Sequence, residues 1–359
     1  MSRLLSTVSA ITFIAGTYAS ADVPKVVADI APIHSLVSRV MDGVGEPKLI
    51  VPNETSPHDY RLRPADAEAI EDANLVFWMG EGLTPWMERA LEALSNDTDI
   101  IEFLALEEST LLSFREGALF EAHDHSDHDD HDDHDDHDDH DDHDDHDDHD
   151  DHDDHDDHDD HDDHDKDHDD HDDHDDHDDH DDHAGHDHGE YDPHAWLSTN
   201  NAKTWLNVIA ARLSSIDPDN AGAYFANASE ARGEMDALDV EINTMLDPVR
   251  GGKFVVFHDA YQYFETVYDF PASGAISLGD ASDPSAARVA EIANRIKSEN
   301  IACVLSEPQF NAGLVKTVMG GTDATTEVID PLGFGIEPGK SLYPKLIRAM
   351  AQSLVNCLK

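Results

Sequence analysis

The chain has 359 residues and a formal net charge of −59, from 22 Lys and Arg against 81 Asp and Glu. Phosphate backbones would be repelled by such a surface, and no basic stripe offsets it, so nucleic-acid binding is excluded and cation binding is the natural direction. Most of the charge is local: residues 123–188 hold 39 Asp, 23 His and a single Lys, which is −38 of the total. Without that segment the apolar fraction rises to about 47%, enough for one or two packed cores.

The N-terminus begins with a short basic start at Arg3, an apolar run from Leu4 to about Tyr18, and the small-x-small sequence Ala19-Ser20-Ala21. This predicts a secretory signal peptide over 1–21, cleaved after Ala21, and a mature exported chain. A membrane anchor would need a longer apolar run, and no other segment suffices to span a bilayer.

From Lys25 onward, strand-like and helix-like pieces alternate. KVVADI, PKLIV, LVFWMG and DIIEF read as strands, with helices from about His34 to Met41, over RPADAEAIEDA, and from about Thr84 to Leu94. The plan recurs after residue 250, where GGKFVVFHD, GAISLG, ACVLSEPQ and TEVIDPLG are strand candidates. Helices are expected there at about 259–268, 284–299, 310–319 and 340–356. This alternation predicts an α/β fold of two lobes, each a mainly parallel four-stranded sheet with flanking helices. An uninterrupted helix from about Asn220 to Leu246, roughly 40 Å long, is expected to join them as a stiff backbone. The expected partition is 22–217 for the first lobe, 218–247 for the linking helix and 248–359 for the second lobe.

Within the first lobe lies a tandem Asp-Asp-His repeat. Histidine recurs every third residue from His128 through His131 and on to His164, and again from His168 to His183, with His123, His125, His186 and His188 at the margins. A helix would spiral these histidines around its axis and crowd the carboxylates, so the free segment is expected to be disordered. Imidazole nitrogen and carboxylate oxygen are both zinc ligands, and a chain that bends can gather four of them around one ion. The result is many weak, exchangeable sites, which should fail in mild acid sooner than a tight site does. A neutral expansion of a repeat is the bland alternative.

Only four of the 27 histidines lie elsewhere. His58 follows the strand-like PKLIV and a polar loop, His194 sits in YDPHAWLS, and His258 ends FVVFH. Ligand sites in α/β sheets gather at the carboxyl ends of strands, so these three can meet in a cleft between lobes. Each has an Asp close in sequence (Asp59, Asp192, Asp259), suited to fixing an imidazole tautomer. Asp330, in VIDPLG, is a candidate fourth ligand, and three His with one carboxylate make a tetrahedral zinc site. His34 has no such setting. The two cysteines, Cys303 and Cys357, suit one structural disulfide in an oxidising compartment, with two separate thiols as the alternative.

HDYRLRPAD from His58, DPHAWLS from Asp192, VFHDAYQYFE from Val256, SEPQF from Ser306 and VIDPLG from Val328 together resemble the zinc-specific solute-binding proteins of bacterial ABC importers, the ZnuA-like members of the cluster A-I metal-binding family. The motifs span essentially the mature chain, and the Asp/His-rich insertion ahead of DPHAWLS resembles the charged loop of the zinc-binding members.

The resemblance implies a periplasmic, non-enzymatic, monomeric receptor holding Zn2+ through His58, His194 and His258, with Asp330 as a ligand or beside a coordinating water. It implies delivery to a membrane permease driven by an ATPase, and a Cys303–Cys357 disulfide. Manganese-binding relatives carry Glu where this chain has His258, and a third nitrogen ligand favours zinc over manganese. Pro57 departs from members with an acidic residue before the first ligand. Two rival functions remain at this point. One is a metal buffer or chaperone acting through the tract, and the other is a zinc hydrolase, which lacks any HExxH-like arrangement.

Overall fold

The computed structural model describes residues 23–95, 98–115, 120, 191–277, 279, 284–309 and 312–359. The expected signal peptide and the tract histidines His123, His125, His128, His131, His183, His186 and His188 lie outside the described residues.

The first half builds β1 (Val26–Ala28), α1 (Ala31–Val40), β2 (Lys48–Leu49), α2 (Pro64–Glu71), β3 (Leu75–Trp78), α3 (Pro85–Leu94) and β4 (Asp99–Glu102). These strands form one parallel sheet in the order β2-β1-β3-β4. After α4 (Thr199–Ile216) and α5 (Ala221–Leu246), the chain adds β5 (Phe254–His258), α6 (Gln262–Tyr268), β6 (Ala275–Ser277), α7 (Ala286–Ser298), β7 (Cys303–Ser306), α8 (Ala312–Val318), β8 (Thr325–Val328) and α9 (Leu342–Leu358). The second sheet is also parallel, in the order β6-β5-β7-β8. Covering helices are what parallel strands require, and the central strands β1, β3 and β5 are buried along their whole length.

Both sheets share one strand order, so each has a topological switch point between its first and third strands, where ligands of open α/β sheets bind. In the first sheet Asp29 follows β1 and accepts hydrogen bonds from the backbone N–H of Ile30 and of Met79, which follows β3, both at 2.7 Å. In the second, His258 ends β5 and Glu307 follows β7.

α1 begins three residues earlier than expected from sequence, because Pro32 sits in its first turn, where a missing N–H costs nothing. α5 has 26 residues, about 39 Å at 1.5 Å per residue. It buries Tyr224, Ala228, Ala231, Met235, Leu238, Ile242 and Leu246, a three-and-four spacing that lines one face. That stripe packs on α4, α9 and α1. The main core is therefore continuous from Val26 in β1 through Trp205 and Met235 to Leu354 in α9. Among the described residues a smaller cluster, including Val255, Ile292, Val304 and Val318, belongs to the second sheet and its helices alone.

α9 is tied to both halves of the chain. Its Tyr343 backbone N–H donates to Ser35 Oγ at 3.0 Å, and its hydroxyl donates to the Trp196 carbonyl at 2.7 Å. At its far end, Cys357 is disulfide-bonded to Cys303 of β7. Among the described residues no helix is long and apolar enough to cross a membrane.

Candidate metal centre

His258 and His194 meet edge to face, with ring centroids 5.3 Å apart. Their Nε2 atoms are 3.5 Å apart. Two nitrogens bound to one tetrahedral zinc at 2.0–2.1 Å would stand about 3.3–3.4 Å apart, so this pair is spaced to share an ion. Each outer nitrogen is held by a buried carboxylate. His258 Nδ1 lies 2.5 Å from Glu307 Oε1, and His194 Nδ1 lies 2.7 Å from Asp192 Oδ1. Asp192 Oδ1 also accepts the backbone N–H of His194 at 2.9 Å, which fixes ring and backbone together. A carboxylate on Nδ1 leaves the Nε2 lone pairs facing one another and raises their basicity toward a metal.

The local folding follows from the sequence. FVVFH is a fully buried strand, so His258 emerges where the ladder ends. His194 precedes a 3-10 turn, Ala195–Leu197, and Ser198 caps α4 by accepting from Asn201 N. Trp196 packs 5.2 Å from the His194 ring and donates its Nε1–H to the Pro331 carbonyl at 2.8 Å. The loop after β8 is thereby drawn against the histidine.

His58 approaches from the first half, half-buried, its ring centroid 6.3 Å from that of His194. Its loop is braced by the Trp86 Nε1–H on the Pro57 carbonyl at 2.8 Å and by the Tyr60 hydroxyl on Asp66 at 2.5 Å. Among the described residues no three His, Cys, Asp or Glu side chains already converge at ligand geometry. The pair His194 and His258 is set, and His58 stands back. Asp330 is partly buried. Its Oδ1 accepts the N–H groups of Leu332 at 2.9 Å and Gly333 at 3.0 Å, and burial pushes its carboxyl up against those donors.

A cavity of about 20 Å3, above the roughly 10–15 Å3 that one water needs, opens on this pair. Its walls come from both halves: Ser56, Pro57, Leu83, His194 and Trp196 from the first, and His258, Glu307, Gln309, Pro331 and Leu332 from the second. His58 and Asp330 adjoin these residues in sequence but are not in the wall.

The three neighbouring aspartates have different fates. Asp192 serves His194, whereas Asp59 is exposed. Asp259, expected to orient His258, is turned to Arg115, which donates from Nε at 3.0 Å and also pairs with Glu265 at 2.8 Å. Burial pushes the Asp259 carboxyl up, and the Arg115 guanidinium works against that. The carboxylate found on His258 is Glu307, 49 positions away. Proximity in sequence misses it, although both residues sit at the ends of adjacent strands flanking a switch point, which is a usable signal. Glu307 and Gln309 both lie in the SEPQF motif without a role that the sequence assigns, and Ser56 and Arg115 carry no signal of their own.

The ZnuA family, described as zinc-uptake complex component A, periplasmic, matches residues 26–357. The high-affinity zinc uptake system protein ZnuA of Brucella abortus strain 2308 is 44% identical over 361 residues, covering 100% of this chain and 99% of its own. The protein of the same name from Paracoccus denitrificans is 43% identical over 341 residues, covering 95% and 93%. Among solved structures, a crystal structure of ZnuA superposes with a TM-score of 0.66 at 21% identity, covering 94% of this chain and 100% of that one. A zinc-bound deletion mutant of ZnuA gives 0.65 at 21% identity, with coverage of 94% and 99%, and at that identity both show the fold alone. With the family profile spanning nearly the whole chain and full-length relatives at 44% identity, the chain belongs to the ZnuA family of solute-binding proteins.

Proposed function

We propose that the chain is the extracytoplasmic Zn2+ receptor of an ABC-type importer, binding zinc between its two halves and passing it to a membrane permease driven by an ATPase. The observation that carries this is the pair His194 and His258, with Nε2 atoms 3.5 Å apart and a buried carboxylate on each Nδ1. Neutral imidazoles suit zinc better than the harder oxygen-preferring ions. His58 is the third ligand and closes on the ion from its loop. The fourth contact falls to Asp330 or to solvent. No reaction is catalysed, because zinc is the cargo.

The signal peptide over 1–21 directs the chain to the periplasm, where it acts as a monomer. Residues 22–217 and 248–359 serve as the two lobes, with 218–247 as the linking helix. The Asp/His tract gathers zinc for the cleft or buffers its excess through many weak sites. Uptake of labelled zinc into vesicles carrying the cognate permease and ATPase tests this proposal. Uptake should depend on the added chain and be lost with His194→Ala. Equal uptake with and without the chain would refute it.

A further inference from the structure

Ser56 and Gln309 both line the cavity, and among the described residues Ser56 Oγ and both Oε1 and Nε2 of Gln309 are buried without a hydrogen-bond partner. Leaving a buried donor or acceptor unpaired costs about 1–3 kcal/mol each, so three on residues that line one small cavity demand an explanation. They come from opposite halves of the chain. Ser56 lies two residues before His58, and Gln309 lies two residues after Glu307, which holds His258. Between them they offer a hydroxyl that can donate and accept, an amide donor and an amide acceptor. A water held in a protein needs two to four such partners.

The geometry points to Gln309 and Ser56 as a polar clamp that grips a solvent oxygen at the non-histidine position of the ion. The inference rests on the proposed zinc site and assigns its fourth position. Asp330 is poorly placed to compete. One of its oxygens is spent on the Leu332 and Gly333 N–H groups, and its successors Pro331 and Leu332, rather than Asp330 itself, form the wall. A neutral clamp leaves the bound solvent exchangeable, whereas a carboxylate would add charge and hold the ion longer. Gln309 and Ser56 act through the oxygen they hold, so both are positioning residues.

The test uses the full-length chain and counts the single zinc equivalent that survives a competing chromophoric chelator. Gln309→Leu should weaken that equivalent roughly 10–100-fold, as loss of an outer-shell partner does. The metal-free Gln309→Leu protein should be as resistant to urea as the parent, or more so, because two unpaired buried polar atoms are gone. Ser56→Ala should weaken binding as well. The double variant should lose less than the product of the two single losses, because both residues grip one ligand. Unchanged zinc retention in Gln309→Leu would overturn the clamp, as would independent losses that track urea sensitivity. His194→Ala and His258→Ala are the controls. If they keep the tight equivalent, the cleft site itself fails, and if only the clamp variants keep it, the clamp alone fails.

Discussion

Glu307 Oε1 lies 2.5 Å from Nδ1 of His258, across the gap between the ends of β7 and β5. Both side chains are almost wholly buried, so the carboxylate fixes the tautomer that points Nε2 at His194. Glu307→Gln keeps the shape but removes the charge, and zinc affinity measured by chelator competition should fall about tenfold. An unchanged affinity would mean that the neighbouring packing, rather than Glu307, orients the ring.

The three histidines should not contribute equally. His194 and His258 already stand at shared-ion spacing, whereas His58 is farther out, 6.3 Å ring to ring from His194. His58→Ala should therefore leave more residual zinc binding than His258→Ala. Equal losses in the same competition titration would contradict a preset pair joined by a closing arm.

Arg115 joins the residue after His258 to α6 through two carboxylates, Asp259 and Glu265, that are 6% exposed. Removing the cation strands both charges in the interior. Arg115→Ala should cost about 3–5 kcal/mol of stability in urea unfolding, and Arg115→Lys distinctly less. A loss below about 1 kcal/mol for the alanine variant would place the cluster in effective contact with solvent.

The Cys303–Cys357 bridge closes 54 positions of chain and ties α9 to β7. A loop of that length stabilises by about 4 kcal/mol in the chain-entropy account. Unfolding with and without reductant checks this, and coincident midpoints would refute it.

Asp29 sets a pH dependence remote from the cleft. Burial pushes its carboxyl up to about 7, while the Met79 and Ile30 N–H donors pull the other way. The folded value lies above the ordinary 3.8, so its contribution is complete below about pH 4 and is lost as pH rises through 7. Asp29→Asn gains stability relative to the parent across that window, by up to a few kcal/mol, whatever its fixed cost. A difference that stays constant from pH 4 to 8 would contradict the shift.

The alternation of apolar runs was enough to read both parallel sheets, and FVVFH placed His258 at a strand end, because burial on both faces writes itself into a short continuous run. The DPHAWLS segment likewise carries Asp192 and His194 together, since that contact spans two residues. What the sequence left hidden depends on long-range contacts. Glu307 reaches His258 only because β5 and β7 pair, and Asp259 is captured by an arginine 144 positions earlier. The two sheets stand as the alternation predicts, and the core that runs on between them through α5 and α9 is not legible in that alternation, because the helix faces that bury it come from both halves. Gln309 lies in the SEPQF motif, yet the sequence gives it no role, because its unpaired amide becomes visible only when the cavity wall is assembled.

The central claim is that the tight zinc site lies in the cleft and that the Asp/His tract is accessory. The most direct measurement is zinc titration against a competing chromophoric chelator, using the mature chain lacking residues 123–188, with and without His258→Ala. The account predicts one tight equivalent in the shortened chain, weakened by orders of magnitude in the His258→Ala form. Absence of tight binding in the shortened chain would contradict it and make the tract the metal site.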